Sequence, residues 1–278
     1  LPAVEAVIGW DDEAARAAAV KAAVVLSGKD SISRLPAWLA DERDGVAAAA
    51  KAAVAAVKAP LAEELAALAL QSKDAVQQGA LEIIEKRNDT AALPKIAALA
   101  ENGDLETRQA LCRIFGNIGD ESSIAFLLNQ LQKAGEKKEI LAAEKGLLTL
   151  CRRLGDAKLY LPALKNAFAA SKAEAKPSLL KAAALAGSQE ALDMEIAAWK
   201  NEGDAVKEAA LRTLAEWPNA AALPTLRDIA ATAEKPLLQV LAFRGCVRLI
   251  PMQNKKNAEK ANEMNGLLAL AKRGGWGT

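Results

Sequence analysis

Apolar residues recur along this chain three and four positions apart, in stretches that open after an acidic or small residue and close on a glycine or a short polar turn. Within 104–118 the apolar positions are Leu105, Ala110, Leu111, Ile114, Phe115 and Ile118, which fall on one stripe of a helix. The same pattern predicts helices at 12–27, 44–58, 74–87, 137–154, 174–186, 204–217 and 235–250. Asp12, Asp44, Asp74, Asp104 and Asp204 stand at helix starts, where a carboxylate accepts a hydrogen bond from an unpaired backbone N–H and favours the positive end of the dipole. A second set of helices opens on a Leu-Pro phrase, at Leu35-Pro36, Leu93-Pro94, Leu161-Pro162 and Leu223-Pro224. Proline fits there because the first turn has no use for the N–H it lacks. Turns such as Asn102-Gly103, Gly119-Asp120, Gly155-Asp156 and Glu202-Gly203 are short, so paired helices run antiparallel.

The pattern is also a repeat. Asp104, Leu111 and Ile114 are echoed by Asp204, Leu211 and Leu214, and again by Asp74, Leu81 and Ile84, with the same internal spacing. A period of about thirty residues, each copy holding an inner helix and a Leu-Pro outer helix, predicts an α-solenoid in which each layer buries its apolar face against the next. We expect an all-α chain forming one domain over 1–278, with the clearest copies at 74–120 and 188–250. Residues 257–272 are predicted as one more outer helix, and 254–278 as a terminal helix and tail from a truncated repeat.

The phrases Ala92-Leu93-Pro94, Arg108-Gln109-Ala110-Leu111 and Gly116-Asn117-Ile118-Gly119-Asp120 resemble HEAT repeats of the bacterial type, also grouped with phycobilin-lyase-like repeats. The resemblance covers roughly 12–250 and is weakest at 44–58, where alanines replace larger residues. It implies a right-handed α-solenoid, or α-α superhelix, of about eight HEAT-type helix pairs. It specifies the fold strongly and function weakly. The stretches 214–219 and 241–250 are further similar to the closing repeats of HEAT regions in large bacterial envelope proteins, which often carry a 3-keto-disaccharide hydrolase domain. That likeness implies a cell-envelope or secreted, periplasmic setting rather than a cytoplasmic one.

Composition narrows the chemistry. The 278 residues include 36 basic and 35 acidic side chains, a net charge of +1, so no overall field draws in a polyanion. The chain has no histidine, which removes the usual general base of Ser and Cys hydrolases and the commonest zinc ligand. Cys112, Cys151 and Cys246 are odd in number and set in apolar helical runs, the habit of packed thiols. The acidic clusters Asp11-Asp12-Glu13, Asp41-Glu42 with Asp44, and Glu63-Glu64 sit at helix starts, where dipole compensation explains them. Gly116 to Gly119 reads as a helix-ending turn and not as a phosphate cradle. We therefore expect no catalytic residues, no cofactor, no metal and no membrane span, and a monomer.

One charge pattern points toward binding. Arg113, Arg152, Arg153, Lys181, Arg212 and Arg244 place at least one cation on each successive inner helix from the fourth onward. If inner helices line a concave face, these residues form a basic stripe for a partner. The competing account is ordinary solvated faces, paired with acids such as Glu144 or Glu208. Trp38, Trp199 and Trp217 are expected to fill gaps between layers, and Trp10 and Trp276 to stand exposed against another domain. The expected role is a non-catalytic interaction scaffold whose concave helix face binds a protein or docks a neighbouring domain. The alternative is a nucleic-acid-binding module similar to the HEAT-like DNA glycosylases, against which the neutral charge and sparse aromatics count. A pigment lyase is a third reading, suggested by the repeat subtype alone.

Overall fold

The computed structural model describes residues 2–273, and no β-strand occurs among them. The chain gathers into two compact units, one of Leu1–Gln130 with Gly135–Gly146 and the other of Leu131–Ala134 with Leu147–Thr278.

In the first unit the helices are α1 (Pro2–Ile8), α2 (Glu13–Ser27), α3 (Leu35–Leu39), α4 (Asp44–Ala55), α5 (Ala62–Gln71), α6 (Asp74–Arg87), α7 (Leu93–Ile96), α8 (Leu99–Asn102) and α9 (Leu105–Ile118). To these are added the first parts of α10 (Ser123–Lys133) and α11 (Lys137–Leu154). Outer helices α1, α3, α5 and α8 pack on the inner helices α2, α4, α6 and α9 that follow them, and the inner helices stack in succession, α2 on α4 on α6 on α9. The second unit takes the ends of α10 and α11 and continues with α12 (Leu161–Ala170), α13 (Lys176–Ala184), α14 (Gln189–Asn201), α15 (Asp204–Ala215), α16 (Leu223–Thr232), α17 (Pro236–Leu249) and α18 (Asn257–Arg273). Its pairs are α12 with α13, α14 with α15 and α16 with α17, and its inner stack is α13 on α15 on α17. Each unit is thus a stack of helix pairs, the plan of an α-solenoid.

The repeat positions are what the layers bury. Leu81, Ile84, Leu111, Ile114, Leu211 and Leu214 have no exposed surface. Each Leu-Pro phrase opens an outer helix, with proline in the first turn of α3, α7, α12 and α16. A 3-10 turn precedes each of them, at Gly28–Arg34, Thr90–Ala92, Ala157–Leu159 and Ala220–Ala222.

Helix starts depart in detail from the expectation. Asp12 and Asp104 are true N-caps, accepting from the N–H of Ala15 and Thr107 at 2.8 Å each. Asp44, Asp74 and Asp204 lie one residue inside their helices and make no cap bond; the flanking residues there are Arg43, Lys73 and Gly203. Asp204 instead reaches Lys235, at the start of the next inner helix, at 2.6 Å. Gly116, expected in a turn, lies inside α9 and is buried. A Cβ there would come within 2.8 Å of Gly146 Cα on α11, and a Cβ on Gly146 within 2.3 Å of the Cys112 carbonyl oxygen. The two backbones touch, which only glycine permits. The second unit repeats the device with Gly245 on α17, where a Cβ would come within 2.7 Å of Ala215 Cα on α15.

Polar side chains tie each layer to the one before. Arg87, ending α6, donates to the carbonyls of Val54, Val57 and Ala59 at and beyond the end of α4, and pairs with Asp89 at 2.6 Å. Arg248, ending α17, donates to Trp217 O at 2.9 Å, Glu216 O at 3.2 Å and Ala215 O at 3.4 Å, at the end of α15. Gln77 and Gln239, early in α6 and α17, donate to carbonyls at the ends of the preceding outer helices, at Ala69 and Ala233 respectively. The last carbonyls of a helix have no partners of their own, so these donors satisfy groups otherwise left open.

Candidate interaction groove

The cations singled out by sequence are set by helix ends. Arg152 and Arg153 occupy the last turn of α11, Lys181 that of α13 and Arg212 that of α15. Positive charge there complements the negative end of the helix dipole, so part of the pattern has a local cause.

The fold does bring three of the six together. Arg152, Lys181 and Arg212 line a groove of about 550 Å³ in the second unit, with Leu148, Ala184, Leu185, Thr213, Ala215, Glu216, Pro218 and Leu241. Its walls come from α11, α13, α15 and α17 in turn. All three cations are exposed, and Leu185 and Pro218 are exposed with them. Arg212 is held by Glu208 one turn earlier, Nη2 to Oε1 at 2.6 Å. Arg244 is exposed on α17 but does not line the groove. Arg153 is exposed on α11 and likewise lies outside the lining. Arg113, in the first unit, is engaged by Glu85 of the preceding inner helix at 2.9 Å, and Asn117 donates to the same carboxylate at 2.6 Å. Its partner comes from the layer before and not from i±4. The apolar lining was missed in the sequence, where Leu148, Leu185 and Leu241 look like any other residues of an amphipathic stripe.

A second groove of the same unit, about 620 Å³, lies at the opposite ends of α15 and α17. Trp199 lines it with Lys200, Lys207, Lys235, Asp204, Glu208 and Glu234, and the Asp204–Lys235 ion pair stands in its wall. Charges of both signs cancel there, so it presents no net preference.

The three cysteines are committed to packing. Burial pushes the thiols of Cys112 and Cys151 up to about 12 and that of Cys246 to about 11, with Glu139 adding to the effect at Cys112. None is a thiolate at neutral pH. Among the early carboxylates, Glu13 accepts from Gly45 N–H at 2.7 Å, Asp41 pairs with Arg16, and Glu63 pairs with Lys95. Trp38 and Trp217 are buried, Trp199 packs half-buried against the Leu180–Val206–Ala210 cluster, and Trp10 is exposed. Trp276 lies outside the described residues. Glu195, on the buried face of α14, went unnoticed in the sequence: it is fully enclosed, neither oxygen has a partner, and burial holds its carboxyl well above the usual range. No helix among the described residues is long and apolar enough to cross a membrane.

The model of HEAT repeats matches residues 59–147. No curated protein matches the chain. Among solved structures, an engineered protein is similar at 16% identity with a TM-score of 0.44, over 96% of this chain and 87% of that one. The complex of CpcE and CpcF of phycocyanin lyase from Nostoc sp. PCC7120 is similar at 15% identity with a TM-score of 0.36, over 95% of this chain and 93% of that one.

Proposed function

From a chain that carries HEAT repeats on an all-α frame, we propose a non-catalytic interaction scaffold in which the inner-helix surface binds a partner protein or docks a neighbouring domain. The observation that carries this reading is the groove in which Arg152, Lys181 and Arg212, from three successive inner helices, stand over leucine, alanine and proline. Apolar lining with a few placed charges is what a protein segment requires of a site. Arg113, Arg153 and Arg244 belong to the proposed surface as neighbours of secondary weight. The reading treats 1–278 as one repeat domain acting as a monomer; for the single domain it rests on the division into units passing through the bodies of α10 and α11.

The test compares affinity capture by the wild-type chain and by the R152E/K181E/R212E variant from extracts of the source cells. A protein retained by the first and reduced at least roughly tenfold by the second supports the reading. Equal retention of every protein overturns it. Duplex DNA is the competing ligand and is titrated at rising salt in parallel. Binding with the steep salt slope of several phosphate contacts favours the nucleic-acid reading. Against it stand the carboxylates of Glu208 and Glu216 beside the same cations.

A further inference from the structure

We infer that α18 is an ionic strap, poised to lift from the α16–α17 pair as a unit while the layers beneath stay folded, with Glu263 as its catch. This device is independent of the groove.

Apolar burial is where α18 differs from its neighbours. Within ten residues α16 buries Leu223, Leu226, Ile229 and Ala230, and α17 buries Ala242, Gly245, Cys246 and Leu249. In α18 none of residues 257–266 is buried, and Leu267 and Ala271 alone among its described side chains are enclosed. Met264 and Leu270, on the same stripe, stay half-buried. A helix with so little apolar contact belongs to the low end of local stability.

Polar bonds supply the rest of the hold. Arg227 of α16 donates to the Glu263 carboxylate, as do Gln253 and Lys255 of the link before α18, at 2.6 and 2.5 Å. Lys260 adds a bond to the Pro251 carbonyl at 3.0 Å. The side chains of Arg227 and Lys255 are 40% and 42% exposed, so mobile ions reach the cluster and screen it. An exposed pair, Lys165 with Glu190, also joins α12 to α14, but those helices bury Leu161, Leu164 and Leu192 as well. There the ion pair is a supplement; at α18 it is a principal support.

Once lifted, α18 does not keep its shape. Asn257, Asn262, Asn265 and Gly266 are poor helix formers, and 17 residues of this composition are not helical alone in water. Gly266 also has no packing reason, since nothing lies within 4 Å of the Cβ it lacks, whereas Gly116, Gly146 and Gly245 are each closed in by a neighbouring backbone. Glycine in an open helical position makes α18 easier to melt than alanine would. Lifting and melting are therefore one step, and that step uncovers Leu267 and Ala271.

Hydrogen exchange read by mass spectrometry on the full chain at neutral pH tests this, comparing protection in α18 and α17 at low salt and at about 0.5 M NaCl. At low salt α18 is expected to be at least roughly tenfold less protected than α17, and salt is expected to lower protection in α18 alone. Glu263→Gln is expected to cost α18 about a further tenfold at low salt and to abolish its salt response. Gly266→Ala is expected to raise protection across α18 about fivefold. The strap is overturned if α18 exchanges in step with α17, or if salt or Glu263→Gln affects both helices equally or leaves α18 unchanged. A Gly266→Ala variant with unaltered exchange in α18 overturns the coupling of lifting to melting, and with it the strap as a single unit.

Discussion

The guanidinium of Arg248 sits 2.9 Å from the carbonyl oxygen of Trp217, thirty-one residues and one inner helix earlier. Arg87 stands in the same relation to Val57 and Ala59 in the other unit. In both places an arginine at the end of one inner helix supplies donors to the frayed carbonyl end of the one before it. The recurrence makes this a fastening between layers and not an accident of one loop.

Removing the fastening should be costly where it is most buried. The Arg87 side chain is 7% exposed and also holds Asp89. Arg87→Met is expected to lower unfolding free energy by about 2–3 kcal/mol, the scale of losing charge-assisted hydrogen bonds and leaving acceptors unpaired. Urea denaturation of the variant measures it. A loss within experimental error would show that solvent serves those carbonyls equally well.

Glycine-to-alanine substitutions give a prediction whose sign is in dispute between two effects. Helix propensity favours alanine by about 0.5–1 kcal/mol, whereas forcing a methyl into a packed backbone contact costs about 1–3 kcal/mol. With the Cys112 carbonyl 2.3 Å from the Cβ that Gly146 would acquire, the steric term wins. Gly146→Ala and Gly116→Ala should each depress the melting temperature, while Gly266→Ala, where the space is open, should not. A rise in melting temperature for Gly146→Ala would contradict the close approach.

Glu195 should make the second unit sensitive to alkali. Its carboxyl is held above the ordinary value by burial, so the folded state keeps a proton that the unfolded chain releases. Its contribution to stability is therefore full below the unfolded value of about 4.5 and declines as pH rises toward the folded one. Glu195→Met, which removes two unpartnered oxygens at similar volume, is expected to stabilise the chain by about 1–3 kcal/mol at pH 8 and to flatten that decline. Chemical denaturation across pH 5 to about 9 provides the comparison. An unaltered slope in the variant would place the titration elsewhere.

Glu263 predicts the opposite trend in acid. Lys255, Gln253 and Arg227 all donate to its carboxylate and hold it down at about 2, anchoring α18 to the chain before it. A depressed carboxyl contributes above its unfolded value of 4.5 and loses that contribution as pH falls toward about 2. Hydrogen exchange in α18 should accelerate across this window in the wild type. In Glu263→Gln the exchange should already be fast at neutral pH and change little on acidification.

Much of the layer plan was legible because burial and period coincide. Leu111 and Leu211 carry the repeat in the sequence, and both are wholly enclosed. Leu-Pro marked outer helices for a local reason, the tolerance of a first turn for proline, and local reasons survive translation into three dimensions. What failed to show depended on partners from another layer. Gly116 looks like a turn residue until α11 is laid against it. Arg87 and Arg248 look like any last-turn cation, with nothing nearby in sequence to say that their donors go to the previous helix. The groove was half visible. Periodicity found Arg152, Lys181 and Arg212, whereas the leucines beside them were indistinguishable from core, and Arg113 turned out to be engaged by Glu85 across twenty-eight residues.

The contact of Gly116 with Gly146 has a consequence for motion. Where layers meet through side chains, rotamers can exchange and let two helices slide by a fraction of an ångström. Where main chain meets main chain there is no side chain to give way, and α9 and α11 cannot approach more closely at that point. Compression at this joint must therefore be taken up by contacts that side chains make elsewhere in the same unit.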